Sequence, residues 1–177
     1  WTMYANEQME ISDMRLLAES EKFILIYPQG TLFNGSTHWN VGSWTSGSNS
    51  DDLGFIDELI THVSNKYNID MKRIYAAGYS NGGFFSLELA CKLSNNIAAI
   101  GTVAANMSTR TRDHCNPSHP MPLVTISGTN DNEVSYDGTN FQGQMSHIEV
   151  LNYWISYNQI NDSPIITELP NTDTSDG

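Results

Sequence analysis

The residues of this sequence best suited to covalent chemistry are Gly78-Tyr79-Ser80-Asn81-Gly82, which match the pattern G-x-S-x-G. A run that favours a strand precedes the motif, and a run that favours a helix follows it directly. In that setting the serine occupies a strained turn and can attack a carbonyl carbon, and side chains at positions 78 and 82 are expected to clash. Ser80 is therefore a predicted nucleophile. A glycine-rich turn that binds phosphate, or that only reverses the chain, is the alternative.

The start of the helix after Ser80 could stabilise the negative charge that such an attack creates. The first backbone N–H groups of a helix have no partner within the helix and carry positive partial charge. The N–H group of Asn81 is therefore a predicted donor of an oxyanion hole.

A serine hydroxyl becomes an effective nucleophile when a histidine accepts its proton and a carboxylate orients that histidine. In hydrolases with this serine turn the chain order is serine, then acid, then histidine. Asp131 is the predicted acid, because it follows a strand predicted at 123–127 and a turn at Gly128. Glu133 and Asp137 are its rivals, and an aspartate that only stabilises a turn is the alternative.

The histidine of such a triad is difficult to find in this sequence. Only His147 follows Asp131, and at the predicted start of the last helix it is expected to be an exposed residue rather than a base. The other histidines all precede the acid: His38, His62, His114 and His119. No histidine of the sequence is therefore well placed for catalysis.

Alternating strands and helices are expected to position these residues. The predicted strands lie at 23–27, 73–77, 98–104, 123–127 and 164–169. The predicted helices lie at 12–20, where Ser12 is the expected cap, at 51–67, after Ser80, and at 147–157, where Ser146 and Glu149 form a capping box. This alternation predicts a parallel sheet covered by helices on both faces, with the chemistry at the carboxyl ends of the strands.

Length and charge narrow the classes of partner. The chain has 177 residues, which suits a single domain at 1–177, and no apolar run reaches the roughly 18 residues that cross a bilayer. The 8 Lys and Arg against 20 Asp and Glu give a formal net charge of -12, which repels phosphate backbones and anionic lipid surfaces. Neither a nucleic-acid partner nor membrane insertion is expected.

No metal site is predicted from the candidate ligands. The two cysteines, Cys91 and Cys115, fit no zinc spacing, and one disulfide or two buried thiols are equally compatible with the sequence. The segment at 171–177 alternates carboxylates and hydroxyls, but Asp176 stands where a calcium loop needs glycine. That segment is predicted to be a solvated hairpin turn.

Three blocks of the sequence carry a more specific resemblance. They read SDDLGFIDELITHVSNKYNID, KRIYAAGYSNGGFFSLELAC and PLVTISGTNDNEVSYDG. In order and spacing they resemble the extracellular esterases of the polyhydroxybutyrate depolymerase and feruloyl/acetylxylan esterase group, within the α/β-hydrolases, over nearly the whole chain. The resemblance implies an α/β-hydrolase fold, with the nucleophile on Ser80 and the acid on Asp131.

The resemblance also implies where the rest of the site lies. The group's histidine belongs to a late Gly-His-Thr-Trp type segment, and its first oxyanion strand ends in His-Gly; neither occurs before Gly177, so the sequence is expected to be cut at both ends. The residue after that His-Gly gives the second oxyanion N–H and corresponds to Trp1. Tyr79, Trp39 and Asn40 are expected at the substrate pocket, with plain packing as the alternative for Trp39.

Members of the group often join a cysteine after the nucleophile helix to one before the acid's strand, which implies a disulfide between Cys91 and Cys115 and a secreted or periplasmic location. The predicted function is a secreted serine carboxylesterase that forms an acyl-enzyme on Ser80 and needs no cofactor. Its ester could belong to a polyester, to a feruloyl or acetyl group on a polysaccharide, or to a small molecule. A serine peptidase and an inactive binding protein of the same fold are the alternatives, and the sequence indicates no oligomeric state.

Overall fold

A computed structural model describes residues 1–140 and 142–172 of the chain. Its helices are α1 (Ala5–Ile11), α2 (Arg15–Glu21), α3 (Asp52–Lys66), α4 (Asn81–Lys92), α5 (Thr109–Asp113) and α6 (His147–Tyr157). Its strands are β1 (Leu32–Phe33), β2 (Ser36–Thr37), β3 (Tyr75–Tyr79), β4 (Ala99–Val103) and β5 (Leu123–Ile126), and a 3-10 helix covers Ser43–Thr45. Most of the hairpin turn predicted at 171–177 lies outside the described residues.

A parallel sheet of three strands forms the centre of the molecule. Its order is β3-β4-β5, and the register places Ala76 beside Ile100 and Ile100 beside Leu123. Helix α4 joins β3 to β4, and α5 lies between β4 and β5, as parallel neighbours require. The strands predicted at 98–104 and 123–127 are confirmed, whereas β3 begins two residues later than the strand predicted at 73–77. The chain is therefore of the mixed α/β class.

Helix α4 packs directly on this sheet and supplies much of the core. Its residues are buried from Asn81 to Cys91 except for the half-buried Gly82, and the buried side chains include Phe84, Phe85 and Leu87. Burial of apolar side chains of this size contributes about 1.5–3 kcal/mol each. The position of α4 is therefore well determined, and with it the turn that begins the helix.

Helices cover one face of the sheet among the described residues, not both as predicted. Strand β4 buries Ile100 and Thr102, whereas Val124 and Ile126 on the opposite face of β5 are 67% and 61% exposed. The alternation of strands and helices led to the prediction, but helix α4, which contacts β3 and β4, lies against the first face, where Gly78 meets Gly82. We call the second face, which carries Tyr75, Tyr79, Val103, Val124 and Ile126, the open sheet face.

Two predicted strands are not strands in the structure. The run at 23–27 has no ladder partner among the described residues, and Phe23, Ile24 and Ile26 are each more than two fifths exposed. The run at 164–169 is also unpaired, and Ile165 is 95% exposed. An apolar run becomes a strand only when a neighbouring strand accepts its backbone hydrogen bonds, and sequence alone could not show that these two runs lack one.

The helix starts follow the predictions in three cases of four, and one of the three is α4, which begins at Asn81 directly after Ser80. The carboxylate of Asp51 accepts the N–H of Gly54 at 2.9 Å to cap α3, and Ser146 and Glu149 form the predicted capping box at α6. The helix predicted at 12–20 is wrong at its start, because Ser12 is the C-terminal cap of α1 and α2 begins only at Arg15. None of the described helices is both long and apolar enough to cross a membrane.

The predicted disulfide is confirmed. Cys91 near the end of α4 is bonded to Cys115 after α5, with the two Cα atoms 4.5 Å apart and a sequence separation of 24. This bond ties the nucleophile-bearing helix to the connection that leads into β5.

Candidate active site

Ser80 and the loop that carries Asp131 both follow strand ends at the carboxyl edge of the sheet. Backbone hydrogen bonds from Ser80 N–H to Val103 and from Ala104 N–H to Ile126, both 2.9 Å, continue the ladders one residue past the strands. Ser80, Ala104 and Ser127 therefore lie side by side. Because neighbouring strands are about 4.8 Å apart, Ser80 and Ser127 are separated by roughly 10 Å. The loop that carries Asp131 thus begins two strands away from the serine.

Ser80 occupies a strained turn, as the motif predicts. Its φ of 51° and ψ of -121° fall in a region that non-glycine residues rarely adopt, at a cost of about 1–3 kcal/mol. The side chain of Ser80 does not cap α4, although a serine at this position commonly does. The hydroxyl is therefore left for another partner.

Close approach of strand and helix holds this strain in place. A Cβ atom on Gly78 would lie 2.1 Å from the backbone of Gly82, and one on Gly83 would lie 2.5 Å from the Cβ of Ala105. The clash expected for a side chain at 82 does not occur, because a Cβ there meets only the Trp39 ring at 4.0 Å. The positions that must be glycine are thus Gly78 and Gly83.

The first two N–H groups of α4 are available to an anion. The carbonyl of Ser80 accepts the N–H groups of Gly83 and Phe84 at 2.8 and 3.1 Å, whereas the N–H groups of Asn81 and Gly82 donate to no acceptor among the described residues. Both stand at the positive end of a 12-residue helix. This geometry is compatible with the predicted role of Asn81.

The side chain of Asn81 has a separate task. It is 2% exposed, and its amide binds the backbone of Trp39 twice: Oδ1 accepts the Trp39 N–H at 2.7 Å and Nδ2 donates to the Trp39 carbonyl at 3.0 Å. The Trp39 ring lies parallel to Phe85 at 5.0 Å and to Phe55 at 6.4 Å. We call this two-hydrogen-bond contact the Asn81 clamp; it fixes the segment around Trp39 beside the serine turn.

Asn40 organises the neighbouring loop. Its Nδ2 donates to the carbonyls of Ser48 and Ser50, its Oδ1 accepts from Gly42 and Thr45, and its own N–H donates to the buried Asp52 at 2.6 Å. These contacts shape the segment at 40–52. Whether Trp39, Asn40 and Tyr79, which is half exposed on the open sheet face, also line a substrate pocket stays a prediction.

The predicted second oxyanion donor, Trp1, packs its ring edge-on against Phe33 and His38, with ring centres 6.2 Å away in each case. The adjacent Thr2 N–H donates to the Thr37 carbonyl at 2.9 Å, two residues before Trp39. Trp1 is thereby attached to the segment that the Asn81 clamp holds. Its oxyanion role stays a prediction.

Asp131 forms a tight turn in the loop after β5. Its Oδ1 accepts the N–H groups of Glu133 and Val134, both at 2.8 Å, so it has the turn-stabilising role that was the alternative to catalysis. The second carboxylate oxygen, Oδ2, has no partner among the described residues. One oxygen thus holds the carboxylate in position, and the other could accept an imidazole N–H.

Two polar side chains that the sequence did not single out, and the backbone N–H of His147, anchor this acid-bearing loop. The carbonyl of Ser135 accepts from Asn106 Nδ2 at 3.0 Å and from Gln144 Nε2 at 3.1 Å, and the Tyr136 carbonyl accepts the backbone N–H of His147 at 2.8 Å. Asn106, Gln144 and His147 are buried. The position of Asn106, three residues after β4 at the edge where ligands bind, was the available signal.

His147 is buried, at 6% exposure, and the expectation of an exposed residue is wrong. Its Nδ1 lies 3.0 Å from the Ser127 hydroxyl and 3.2 Å from Asn106 Oδ1. Because Asn106 uses its Nδ2 on Ser135, its Oδ1 only accepts, so Nδ1 of His147 carries the hydrogen. Burial lowers the pKa of this imidazole, because desolvation favours the neutral ring.

No hydrogen bond joins a histidine to Ser80 or Asp131 within the part of the chain that the structure describes, which includes all five histidines. Their ring nitrogens bind backbone carbonyls, hydroxyls or, for His147, also the Asn106 amide oxygen, and the exposed His62 is the exception. In residues 1–140 and 142–172 no three His, Cys, Asp or Glu side chains are grouped to hold a metal ion. The described site thus offers a nucleophile, free N–H groups and a carboxylate.

Comparison with known proteins finds relatives among esterases, although no protein-family model matches the sequence. Feruloyl esterase B of Piromyces equi is 38% identical over 102 residues, which are 56% of this chain and 19% of that protein. The bifunctional acetylxylan esterase/xylanase of Neocallimastix patriciarum is 29% identical over 132 residues, 74% of this chain and 18% of that protein. Feruloyl esterase B of Neurospora crassa is 40% identical over 76 residues, 41% of this chain and 25% of that protein. The chain therefore spans a quarter or less of the length of these relatives.

Proposed function

We propose that the chain is a serine carboxylesterase with the α/β-hydrolase fold and that Ser80 is its nucleophile, because the relatives found for it are named feruloyl and acetylxylan esterases. The observation that carries this proposal is the backbone of Ser80, at a φ of 51° between the end of β3 and the start of α4. The parallel sheet and the buried helix α4 behind the serine are the parts of that fold that such a turn requires.

The first step forms a bond between Ser80 Oγ and the ester carbonyl carbon. The carbonyl π electrons move to oxygen, and that oxyanion lies against the free N–H groups at the start of α4, with Asn81 as the main donor. Collapse of the intermediate breaks the bond to the alcohol, which leaves with a proton, and the acyl group stays on Ser80. Water then releases the acid and restores the hydroxyl.

The proton of Ser80 requires a base, and we propose that it is a histidine other than the five in this sequence. The free Oδ2 of Asp131 would orient that histidine, while Oδ1 stays bound to the turn at 133–134. Neutral His147 would act through the loop instead, because its hydrogen bond to Ser127 and its backbone bond to Tyr136 hold the two ends of the acid-bearing segment.

The proposed substrates are feruloyl or acetyl esters on a plant polysaccharide, which the names of the relatives support. Cleavage outside the cytoplasm suits a substrate of that size. The disulfide between Cys91 and Cys115 supports such a location, since disulfides persist in oxidising compartments.

Ester hydrolysis by the purified full-length gene product tests the proposal. Turnover of p-nitrophenyl acetate and methyl ferulate is expected, with a loss of about 10³-fold or more in Ser80→Ala. Ser86→Ala, which removes another hydroxyl of α4 that only bonds to the Gly82 carbonyl, is the matched control and should keep turnover. Equal turnover by wild type and Ser80→Ala would refute the proposal, and faster cleavage of anilides than of esters would favour a peptidase.

A non-catalytic binding protein is the second candidate, because no described histidine forms a hydrogen bond with Ser80. The same preparation separates the two candidates. An esterase is labelled on Ser80 by a fluorophosphonate, which needs an activated serine, whereas a binding protein is not labelled.

A further inference from the structure

An open cleft of about 520 Å³ lies between three segments of the chain. The segments are 43–46, 108–110, and a third that contributes Asn140, Gln142 and Gly143. Ser80 and Asp131 are not among the residues that line it. We call it the Arg110 cleft, after its charged residue; the proposed catalytic chemistry gives it no role.

Arg110 differs from the other arginines of the chain. Arg15, Arg73 and Arg112 each form a salt bridge with an aspartate at 2.7–2.8 Å, whereas Arg110 has no carboxylate partner among the described residues. The formal net charge of the chain is -12, so carboxylates are abundant. Such an unpaired guanidinium, exposed in a cleft lined by neither Asp nor Glu, has donors that can bind an external anion.

The backbone makes room for this side chain. The guanidinium lies against Gly42, where an added Cβ atom would be 1.6 Å from one nitrogen and 2.6 Å from the central carbon of Arg110. Gly42 has a φ of 62°, which also disfavours any other residue. The planar guanidinium of Arg110 is therefore in contact with backbone on one side. This contact restricts the rotamers of the side chain before binding, so less side-chain entropy is lost when an anion binds.

The other lining groups are suited to sugar hydroxyls. Ser46 and Thr109 place hydroxyls in the cleft, Asn140 uses its Nδ2 on the loop carbonyls of 132 and 133 and keeps its Oδ1, and Trp44 adds an aromatic surface. Hydroxyls, an amide oxygen and an indole together provide hydrogen bonds and an apolar face, as a pyranose ring needs. With the guanidinium added, the preferred ligand is a sugar that carries a carboxylate.

One wall of the cleft contacts the helix that begins directly after Ser80. The Trp44 ring packs edge-on against Phe84 in the first turn of α4, at 4.7 Å between ring centres. Residues 108–110 follow β4, and the third segment follows the acid-bearing loop and pairs with 108 through Gln144. A chain molecule whose ester reached Ser80 could thus extend into the cleft.

We propose that the Arg110 cleft binds a uronic acid residue of an acidic oligosaccharide, with the carboxylate on the Arg110 guanidinium and the ring hydroxyls on the Ser, Thr and Asn side chains. The assignment deepens the proposed esterase function by naming a charged saccharide as the substrate chain. The assignment rests on that function only to explain why such a saccharide would be present. Binding in the cleft itself requires no catalysis.

Titration calorimetry of the 177-residue chain tests the proposal with two probes, a xylotetraose that carries one glucuronic acid and unsubstituted xylotetraose. The acidic probe should bind at least about tenfold more tightly, and this difference should shrink as salt rises. Arg110→Gln should abolish the difference, and Arg110→Lys, which keeps the charge but loses the fork, should keep part of it. Arg112→Gln, two residues away and paired with Asp113, is the matched control and should bind as wild type.

Equal affinity for both probes, no saturable binding of the acidic probe, or an unchanged preference in Arg110→Gln would each overturn the proposal. The thermal midpoint of each variant confirms that it is folded. Ser80→Ala should bind the acidic probe as wild type does. A full-length gene product that is inactive, together with a chain that still selects the acidic probe, would refute the esterase alone, and an active full-length product together with a chain that shows no selectivity would refute the cleft alone.

Discussion

At the scale of single residues, the serine turn requires two positions that have no side chain, Gly78 and Gly83. Gly78 lets the strand pass within contact distance of the Gly82 backbone, and Gly83 does the same for Ala105. The strained φ of Ser80 persists because this close contact fixes the backbone on both sides of the serine. Gly82, in contrast, has room for a methyl group beside Trp39.

Gly78→Ala is therefore expected to lower the free energy of unfolding by about 2–4 kcal/mol, because its Cβ would lie 2.1 Å from backbone that cannot move without displacing α4. Gly82→Ala should change it by no more than about 1 kcal/mol, since the added methyl makes an ordinary contact and alanine favours a helix. Urea denaturation of the two variants measures both values. Similar losses at the two positions would show that the glycine contact at 78 does not hold the turn.

His147 makes a prediction about pH. Burial lowers its pKa from the ordinary value of 6.5 in the folded state, so between the folded and unfolded pKa values the unfolded chain binds more protons. The stability from neutral His147 is thus complete above about pH 6.5 and is lost as pH falls through the folded pKa. Asp70 and Glu149 also have lowered pKa values, from hydrogen bonds to their carboxylates. These two groups change the free energy of unfolding only below about pH 4.5, where carboxylates ordinarily begin to be protonated.

We expect the free energy of unfolding to fall between pH 7 and pH 5, and to fall less in His147→Gln, which keeps a donor towards Asn106 but cannot titrate. Denaturation curves at several pH values provide the measurement. The exposed His62 supplies the control, because His62→Gln should leave the slope unchanged. An identical slope in wild type and His147→Gln would contradict the assignment.

At the scale of elements, the sequence-based predictions were most accurate where a hydrophobic pattern and a local capping or turn rule indicated the same element. Helices α3 and α6 combine an apolar stripe with a capping residue, and both lie within a residue or two of their predicted bounds. The serine turn was recognisable because glycine spacing and the change from strand to helix coincide. These features depend on neighbours in sequence.

The predictions that were wrong concern residues whose structural partners lie far away in the sequence. The apolar run at 23–27 was predicted as a strand because its composition is right, but a strand also requires a neighbour, which no local pattern reveals. His147 was expected to be exposed because it begins a helix, but its pocket is formed by Asn106 and Ser127 from two other strand ends. The Asn81 clamp joins two residues that are 42 positions apart in sequence, and no local sequence pattern indicates such a contact.

At the scale of the whole molecule, the disulfide is the covalent link between the two crossovers of the sheet. It closes a loop of 24 residues, for which the chain-entropy argument gives a stabilisation of about 3 kcal/mol. We expect reduction, or the double change Cys91→Ala and Cys115→Ala, to lower the free energy of unfolding by about 2–4 kcal/mol. Urea denaturation with and without a reductant measures it; a reductant that has no effect on the wild type would contradict this stabilisation.

The described molecule is also less compact than its mass suggests. Its accessible surface is 11406 Å², whereas a compact monomer of 19.7 kDa exposes roughly 8,600 Å². Part of the difference lies on the open sheet face, and part lies at 160–169, where Ile165 and Leu169 are almost fully exposed. An apolar sheet face of this kind is a surface to which other apolar molecules adhere.

The open sheet face has a consequence for how the protein responds to temperature. Apolar area that already meets water in the native state cannot be newly hydrated at unfolding, and that hydration is the source of the heat-capacity increment. Scanning calorimetry of the 177-residue chain should give an increment below the usual value of about 12–15 cal/mol/K per residue. The curve of free energy against temperature would then be flatter than normal for a domain of this length, with weaker losses of stability on cooling.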